Sequence, residues 1–227
     1  LVCEREQRIL LDWLAYVVQN AGKRINWAIL LQGAQGTGKS YFAKVLEWVL
    51  GSNAKSLDPS ALGERFTGWA HGSVVNIVEE IRIKGDDKWR IMDRLKPFIT
   101  NSMIQIEEKG RDHRTIPNFT NYLLLTNYKD ALPITNDDRR FCVMYGRIQN
   151  EQELFDFFGG REQTADYFEN LFAESEKHAG GIKSFLLNYK ISDEFKANGR
   201  APDTSSRQAM IQATISPEQC SVEDLIN

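Results

Sequence analysis

The sequence predicts an α/β chain with a parallel-core sheet flanked by helices. Three observations lead there. Short continuous apolar runs at Trp27–Leu31, Val74–Val78, Tyr122–Thr126 and Phe141–Tyr145 have the character of strands buried on both faces. Segments between them place apolar residues at helical spacing. A glycine-rich turn separates the first run from the helix that follows, and strand, turn and crossover helix together build parallel sheets.

Taken in order, Glu4 to Asn20 carries Ile9, Leu10, Trp13, Leu14, Val17 and Val18 on one helical face, and Ala21-Gly22-Lys23 ends it. After the first strand and the glycine-rich turn, Lys39 to Leu50 is a helix with Phe42, Val45, Leu46 and Val49 inward, stopped by Gly51. Ser60 to Trp69 is expected to be helical. The second strand ends in Glu79-Glu80. Asp86 to Lys96 is a charged amphipathic helix, with Pro97 marking its end or a kink. Met103–Glu108 and part of Thr115–Asn121 alternate around a polar tip, which predicts a hairpin. The third and fourth strands follow, and beyond Asn150 the pattern is mostly helical. The expected organisation is a helical segment at 1–25, a core at 26–150 and a helical C-terminal subdomain at 151–227.

Composition excludes several classes. Of 227 residues, 42% are hydrophobic and 26% charged, which rules out a disordered or collagen-like chain. No apolar run approaches the roughly 18–20 residues of a membrane span, so no membrane partner is expected. Cys3, Cys142 and Cys220 lack the spacing of a zinc site, and an odd count argues against a disulfide framework. Free thiols fit a cytoplasmic protein. His71, His113 and His178 also lack metal-ligand spacing. The chain starts at Leu1 without a Met and is expected to be a piece of a longer protein. The formal charge of −3 disfavours a nucleic-acid protein only if charge is evenly spread, and it is not. Residues 1–150 carry 21 basic and 17 acidic residues, whereas 151–227 carry 7 and 14. The acidic segment is expected to face away from DNA, because its charge repels phosphate.

The strongest motif is Gly33-Ala34-Gln35-Gly36-Thr37-Gly38-Lys39-Ser40, followed by Tyr41. It matches the phosphate-loop pattern G-x-x-x-x-G-K-[ST]. Glycines let successive backbone N–H groups turn toward phosphate oxygens, and the following helix directs its positive end at the same anion. Lys39 would meet the β- and γ-phosphates of ATP, and Ser40 would offer a hydroxyl to Mg²⁺. One of Glu79 and Glu80 could assist the metal and the other polarise an attacking water; their division stays open. Asn127, at the polar end of the third strand, could orient water, or could simply end the strand. Arg139 and Arg140 could stabilise transition-state charge from a neighbouring subunit, or could form a local ion-pair cluster.

In this order the pieces resemble a superfamily 3 helicase domain, as found in phage and plasmid primase-helicases and self-priming phage polymerases. The resemblance rests on Trp13-Leu14-Ala15, Gly33–Ser40, Val74–Glu80, Leu95-Lys96 through Lys109 to Asn127, Asp138–Phe141, and Ala201–Thr204 followed by Arg207. It implies an AAA+-type P-loop NTPase fold and a homo-hexameric ring with ATP between subunits. Lys39, Ser40, Glu79, Glu80 and Asn127 would act in cis; Arg140, with Arg139 as the alternative, and Lys96 would act in trans. A hairpin at about Met103 to Asn118 would grip single-stranded DNA through Lys109, Arg111, His113 and Arg114. The resemblance further implies a primase or polymerase module upstream and a setting in the phage-infected host cell. Rival readings are a P-loop ATPase that remodels or loads proteins, a ring-assembly module with little unwinding activity, and a small-molecule kinase.

Overall fold

The structure, a computed structural model, describes residues 1–83 and 88–214. Five parallel strands form one sheet in the order β2-β3-β6-β1-β7. They are β1 (Ala28–Gln32), β2 (Ala54–Leu57), β3 (Val75–Val78), β6 (Asn121–Thr126) and β7 (Phe141–Tyr145). A separate antiparallel hairpin joins β4 (Met103–Ile106) to β5 (Arg114–Pro117). The helices are α1 (Glu4–Gln19), α2 (Ser40–Leu50), α3 (Lys88–Thr100), α4 (Glu151–Phe158), α5 (Arg161–Lys177), α6 (Ala179–Asn188) and α7 (Ser205–Thr214).

The central strands are apolar on both faces because helices cover both. Ile29, Leu31, Leu123, Cys142 and Met144 pack with Leu10, Trp13 and Val17 of α1 and Leu46 of α2. Ala28, Leu30, Leu124, Phe141 and Val143 pack with Met92, Leu95 and Ile99 of α3, Ile104 and Ile106 of the hairpin, and Met210 of α7. Burying a side chain of this size contributes about 1.5–3 kcal/mol, so the two sides of the sheet hold the strands in register together.

Three expectations are corrected. Ser60 to Trp69 is not a helix. It holds two short 3₁₀ turns, Pro59–Leu62 and Gly68–Ala70, the first capped by Asp58 accepting from the Ser60 amide at 2.8 Å. Pro97 does not end α3, which runs on to Thr100, because Phe98 and Ile99 are buried and tertiary packing outweighs the missing N–H. The fifth strand, β2, was not expected: Ala54, Lys55, Ser56 and Leu57 form a half-exposed edge with no apolar run. The first residues of the predicted helix at Asp86, and Cys220, lie outside the described residues.

After α6 the chain returns along the body. The Asn26 amide donates to the Ala197 carbonyl at 2.7 Å, and the Ala201 amide to the Arg139 carbonyl at 2.8 Å. α7 then packs on β7, with the Ser206 hydroxyl accepting from the Tyr145 amide at 3.1 Å.

Candidate functional site

The C-terminal ends of β1, β3 and β6 lie side by side, since Gln32 pairs with Thr126 and Val78 with Leu124. That register brings Gly33, Glu79 and Asn127 to one edge of the sheet. The glycine-rich loop leaves β1 there, and its Gly33 amide donates to the Thr126 carbonyl at 3.2 Å. Gly36 and Gly38 have φ of +79° and +82°, conformations that L side chains rarely adopt. At Gly38 a Cβ would also stand 2.6 Å from the Phe168 ring of α5.

Lys39 Nζ donates to the Ala34 carbonyl at 2.7 Å, and the Thr37 hydroxyl donates to the same oxygen at 2.8 Å. Burial pushes the Lys39 ammonium below its ordinary pKa, while Glu80 and Glu79 oppose that shift. The Ser40 hydroxyl donates to Glu79 Oε2 at 2.5 Å. Glu80 has φ +56°, the one non-glycine residue with positive φ among the described residues. Such a conformation costs about 1–2 kcal/mol in a non-glycine residue, and here it lies between the Ser40–Glu79 contact and the Ile81 amide, which donates to Leu125 at 2.9 Å. The backbone carbonyl of Asn127 accepts from Gln32 Nε2 at 3.3 Å. The Tyr41 side chain turns onto α5, its hydroxyl 3.0 Å from the Ser175 hydroxyl. A hydroxyl and two carboxylates at this edge are a donor set suited to Mg²⁺, which takes few protein oxygens and fills its octahedron with water and phosphate.

The basic residues expected to act in trans gather at the other end of the strands. Arg140 immediately precedes β7, whose five residues at roughly 3.3 Å each separate it from the loop edge by about 16 Å. Lys96 Nζ and Arg140 Nη1 both approach Asp138 Oδ2, at 4.0 and 3.8 Å, and Asp138 Oδ1 accepts from the Arg140 amide at 2.8 Å. The Arg140 Nε is buried without a hydrogen-bond partner among the described residues. Arg139 is exposed. Arg207, itself buried, donates through Nη2 to the carbonyls of Thr135, Asn136 and Asp138 at 2.9, 2.7 and 2.7 Å, fixing the turn that carries both arginines. The contacts of Arg207 are long-range, so its position in sequence alone does not reveal this clamp.

In the hairpin tip, Gly110 has φ +75° and Lys109 is exposed. Two carboxylates, overlooked in the sequence, organise the other cations. Glu108 pairs with Arg114 at 2.9 Å, Arg111 at 3.2 Å and His71 at 3.4 Å. Glu107 pairs with Arg65 at 2.5 Å and His113 at 3.5 Å. The hydrogen bond from His71 is the main cause holding the Glu108 carboxyl below the usual range, with Arg114 and Arg111 adding to it.

Cys142 is buried, and burial raises its thiol pKa, whereas Cys3 is exposed. Among the described residues, no cluster of three metal-ligating side chains occurs, and no helix is long and apolar enough to cross a membrane.

A family model of unknown function, DUF5906, matches residues 31–140. The chain is 23% identical over 209 residues to a DNA primase-polymerase of Nitratiruptor phage NrS-1, covering 91% of this chain and 27% of that protein. An apo structure of the NrS-1 C-terminal region superimposes with a TM-score of 0.79 at 20% identity, covering 97% of this chain and 50% of that one. A second, A-form apo structure gives 0.70 at 19%, covering 94% and 48%. The chain thus spans about a quarter of the relative's length and half of the solved region. It is a distant relative of a phage DNA primase-polymerase and shares the fold of the NrS-1 C-terminal region.

Proposed function

We propose that the chain is an ATP-dependent DNA helicase or translocase domain of a phage-type replication protein. It would hydrolyse ATP at the subunit interfaces of a homo-hexameric ring around single-stranded DNA. The observation that carries this is the division of the sheet: Lys39, Ser40, Glu79, Glu80 and Asn127 share one end, while Arg139, Arg140 and Lys96 share the other. Arg140 starts about 16 Å from the loop edge, which supports a meeting of the two sets between subunits. A strand order with β6 between β1 and β3 supports a P-loop NTPase of the AAA+ type, and open α/β sheets bind ligands beyond the carboxyl ends of their strands.

In this reading the loop amides and Lys39 bind the β- and γ-phosphates. Ser40 and one of Glu79 and Glu80 would hold Mg²⁺, which would supply positive charge against the phosphates. One glutamate accepts a proton from the attacking water, and Asn127 orients that water. Arg140 from the next subunit, with Arg139 as the alternative, stabilises the charge of the transferring phosphoryl group, and such a residue is worth about 10³–10⁵ in rate. Catalysis is then positioning and charge stabilisation. The hairpin residues Lys109, Arg111, His113 and Arg114 contact the DNA backbone. The proposal includes the division at 1–25, 26–150 and 151–227, and a primase or polymerase module upstream in the same polypeptide.

The test is ATP turnover with and without single-stranded DNA, alongside mass in solution. DNA-stimulated turnover by a ring supports the reading; turnover indifferent to DNA removes the helicase assignment. One observation favours the alternative of a protein remodeller, loader or ring-assembly module: Glu107 and Glu108 already hold Arg111, His113 and Arg114 of the hairpin.

A further inference from the structure

A second cationic concavity lies on the opposite face of the sheet from the hairpin. It sits between α1 and the returning segment at 192–202, and its volume is about 200 Å³. Arg5, Arg8, Lys196 and Arg200 contribute to its walls, with Asp12 and Glu194 as the opposing charges. Asp12 is 2% exposed, and both its oxygens are occupied: Oδ1 accepts from the Ser192 amide at 3.0 Å and Oδ2 from the Ser192 hydroxyl at 2.6 Å. Those two bonds join the walls, and the lining carries four basic against two acidic side chains. Arg5 is anchored through Nη1 to the Asp203 carbonyl at 2.8 Å, and Lys196 through Nζ to the Asp193 carbonyl at 2.8 Å. Arg8 and Arg200 are exposed. Ala201, next to Arg200, donates its amide to the Arg139 carbonyl, which fixes this end of the returning segment against the body. The bulk acidity of residues 151–227 conceals this local reversal of sign.

We infer that this pocket binds a phosphate group of a single-stranded DNA backbone, as a contact separate from the hairpin. Four cations around a small concavity suit a compact multivalent anion, and guanidinium forks match phosphate oxygens in pairs. Contacts of this kind hold a strand without reading its sequence. The pocket shares only its DNA partner with the proposed function.

The experiment measures binding of a fluorescent oligothymidylate to the full chain across a salt series, for the native chain, Arg8→Glu/Arg200→Glu and Lys109→Glu/Arg111→Glu. The pocket variant is expected to bind at least tenfold more weakly and to lose about 1.4 from the log–log salt slope, the share of two cations on a single strand. Arg8→Lys/Arg200→Lys should bind more weakly than the native chain but keep its salt slope, since the charges stay and the paired forks are lost, and melting temperatures should match the native chain. Native affinity and slope in the pocket variant would overturn the inference; loss in the hairpin variant alone would leave the proposed function standing without it. No binding by the native chain would sink both. Binding of inorganic pyrophosphate that is lost in the pocket variant, with oligonucleotide binding intact, would assign the pocket to a free phosphorylated ligand and overturn the DNA reading. Loss of self-association at unchanged DNA affinity would assign it to an acidic protein face, with the same consequence.

Discussion

The Ser40 hydroxyl lies 2.5 Å from Glu79 Oε2, so the first residue of α2 is tied directly to the end of β3. The contact joins the glycine-rich loop to the acidic strand end across 39 residues of sequence, and it makes the two motifs one site. Lys39, one residue earlier, is the cation of that site. Lys39→Ala is expected to lower ATP turnover at least a hundredfold with little change in melting temperature. Phosphate release measured at saturating ATP checks this, and native turnover in the variant would end the nucleotide assignment.

Arg140 stands at the far end of β7 with a buried Nε that finds no hydrogen-bond partner among the described residues. Arg140→Ala should keep nucleotide affinity within a few-fold and lose turnover by about 10³. Mixing it with Lys39→Ala subunits should restore part of the activity, because an intact loop would then face an intact arginine. Absence of restoration across mixing ratios would argue against action in trans.

Arg207 supports the same turn from behind. Hydrogen bonds from a charged donor contribute about 1.5–3 kcal/mol each, less where one nitrogen is shared. Arg207→Ala is therefore expected to destabilise the chain by roughly 2–3 kcal/mol, read by urea unfolding. Arg207→Lys should recover little, since an ammonium on a shorter reach cannot reproduce the fork. A variant as stable as the native chain would show that the turn holds itself.

Glu108 pairs with Arg111 and Arg114 at the surface of the hairpin. Glu108→Gln should release both, raising affinity for an oligonucleotide several-fold and steepening its salt dependence. Fluorescence anisotropy at two salt concentrations reads this directly. Weaker binding in the variant would mean that Glu108 shapes the hairpin for DNA.

Glu6 is 2% exposed, with Oε2 unpartnered among the described residues and Oε1 3.5 Å from the Ser206 hydroxyl. Burial raises its pKa above the ordinary value of 4.5. The folded chain thus holds this proton more tightly than the unfolded chain does. The contribution is fully present below pH 4.5 and is lost as pH rises through the folded value. Glu6→Gln should raise the melting temperature at pH 7, with the gain shrinking toward pH 4. An equal shift at both values would locate the effect in packing and not in ionisation.

Much of the fold was legible because its strands are buried on both faces. Runs such as Leu123-Leu124-Leu125, too short for a helix and bounded by polar residues, read as buried strands. The edge strand β2 escaped because Lys55 and Ser56 satisfy only one covered side, leaving no pattern to read. Pro97 misled for the opposite reason: a local rule of helix termination gave way to the buried Phe98 and Ile99.

By itself the sequence determined the chemical groups and their local frames: the loop Gly33–Ser40 between a strand and a helix, carboxylates ending one strand, an amide ending another, and cations at a turn. Only the tertiary structure decided which of them meet. The parallel register brings Ser40 to Glu79 and holds Arg140 a sheet's length away, the Glu107 and Glu108 carboxylates pair with hairpin cations, and the returning segment brings Lys196 and Arg200 to Arg5 and Arg8. The physical reason is that each of these relationships depends on contacts between residues far apart in sequence, and local periodicity carries no record of them.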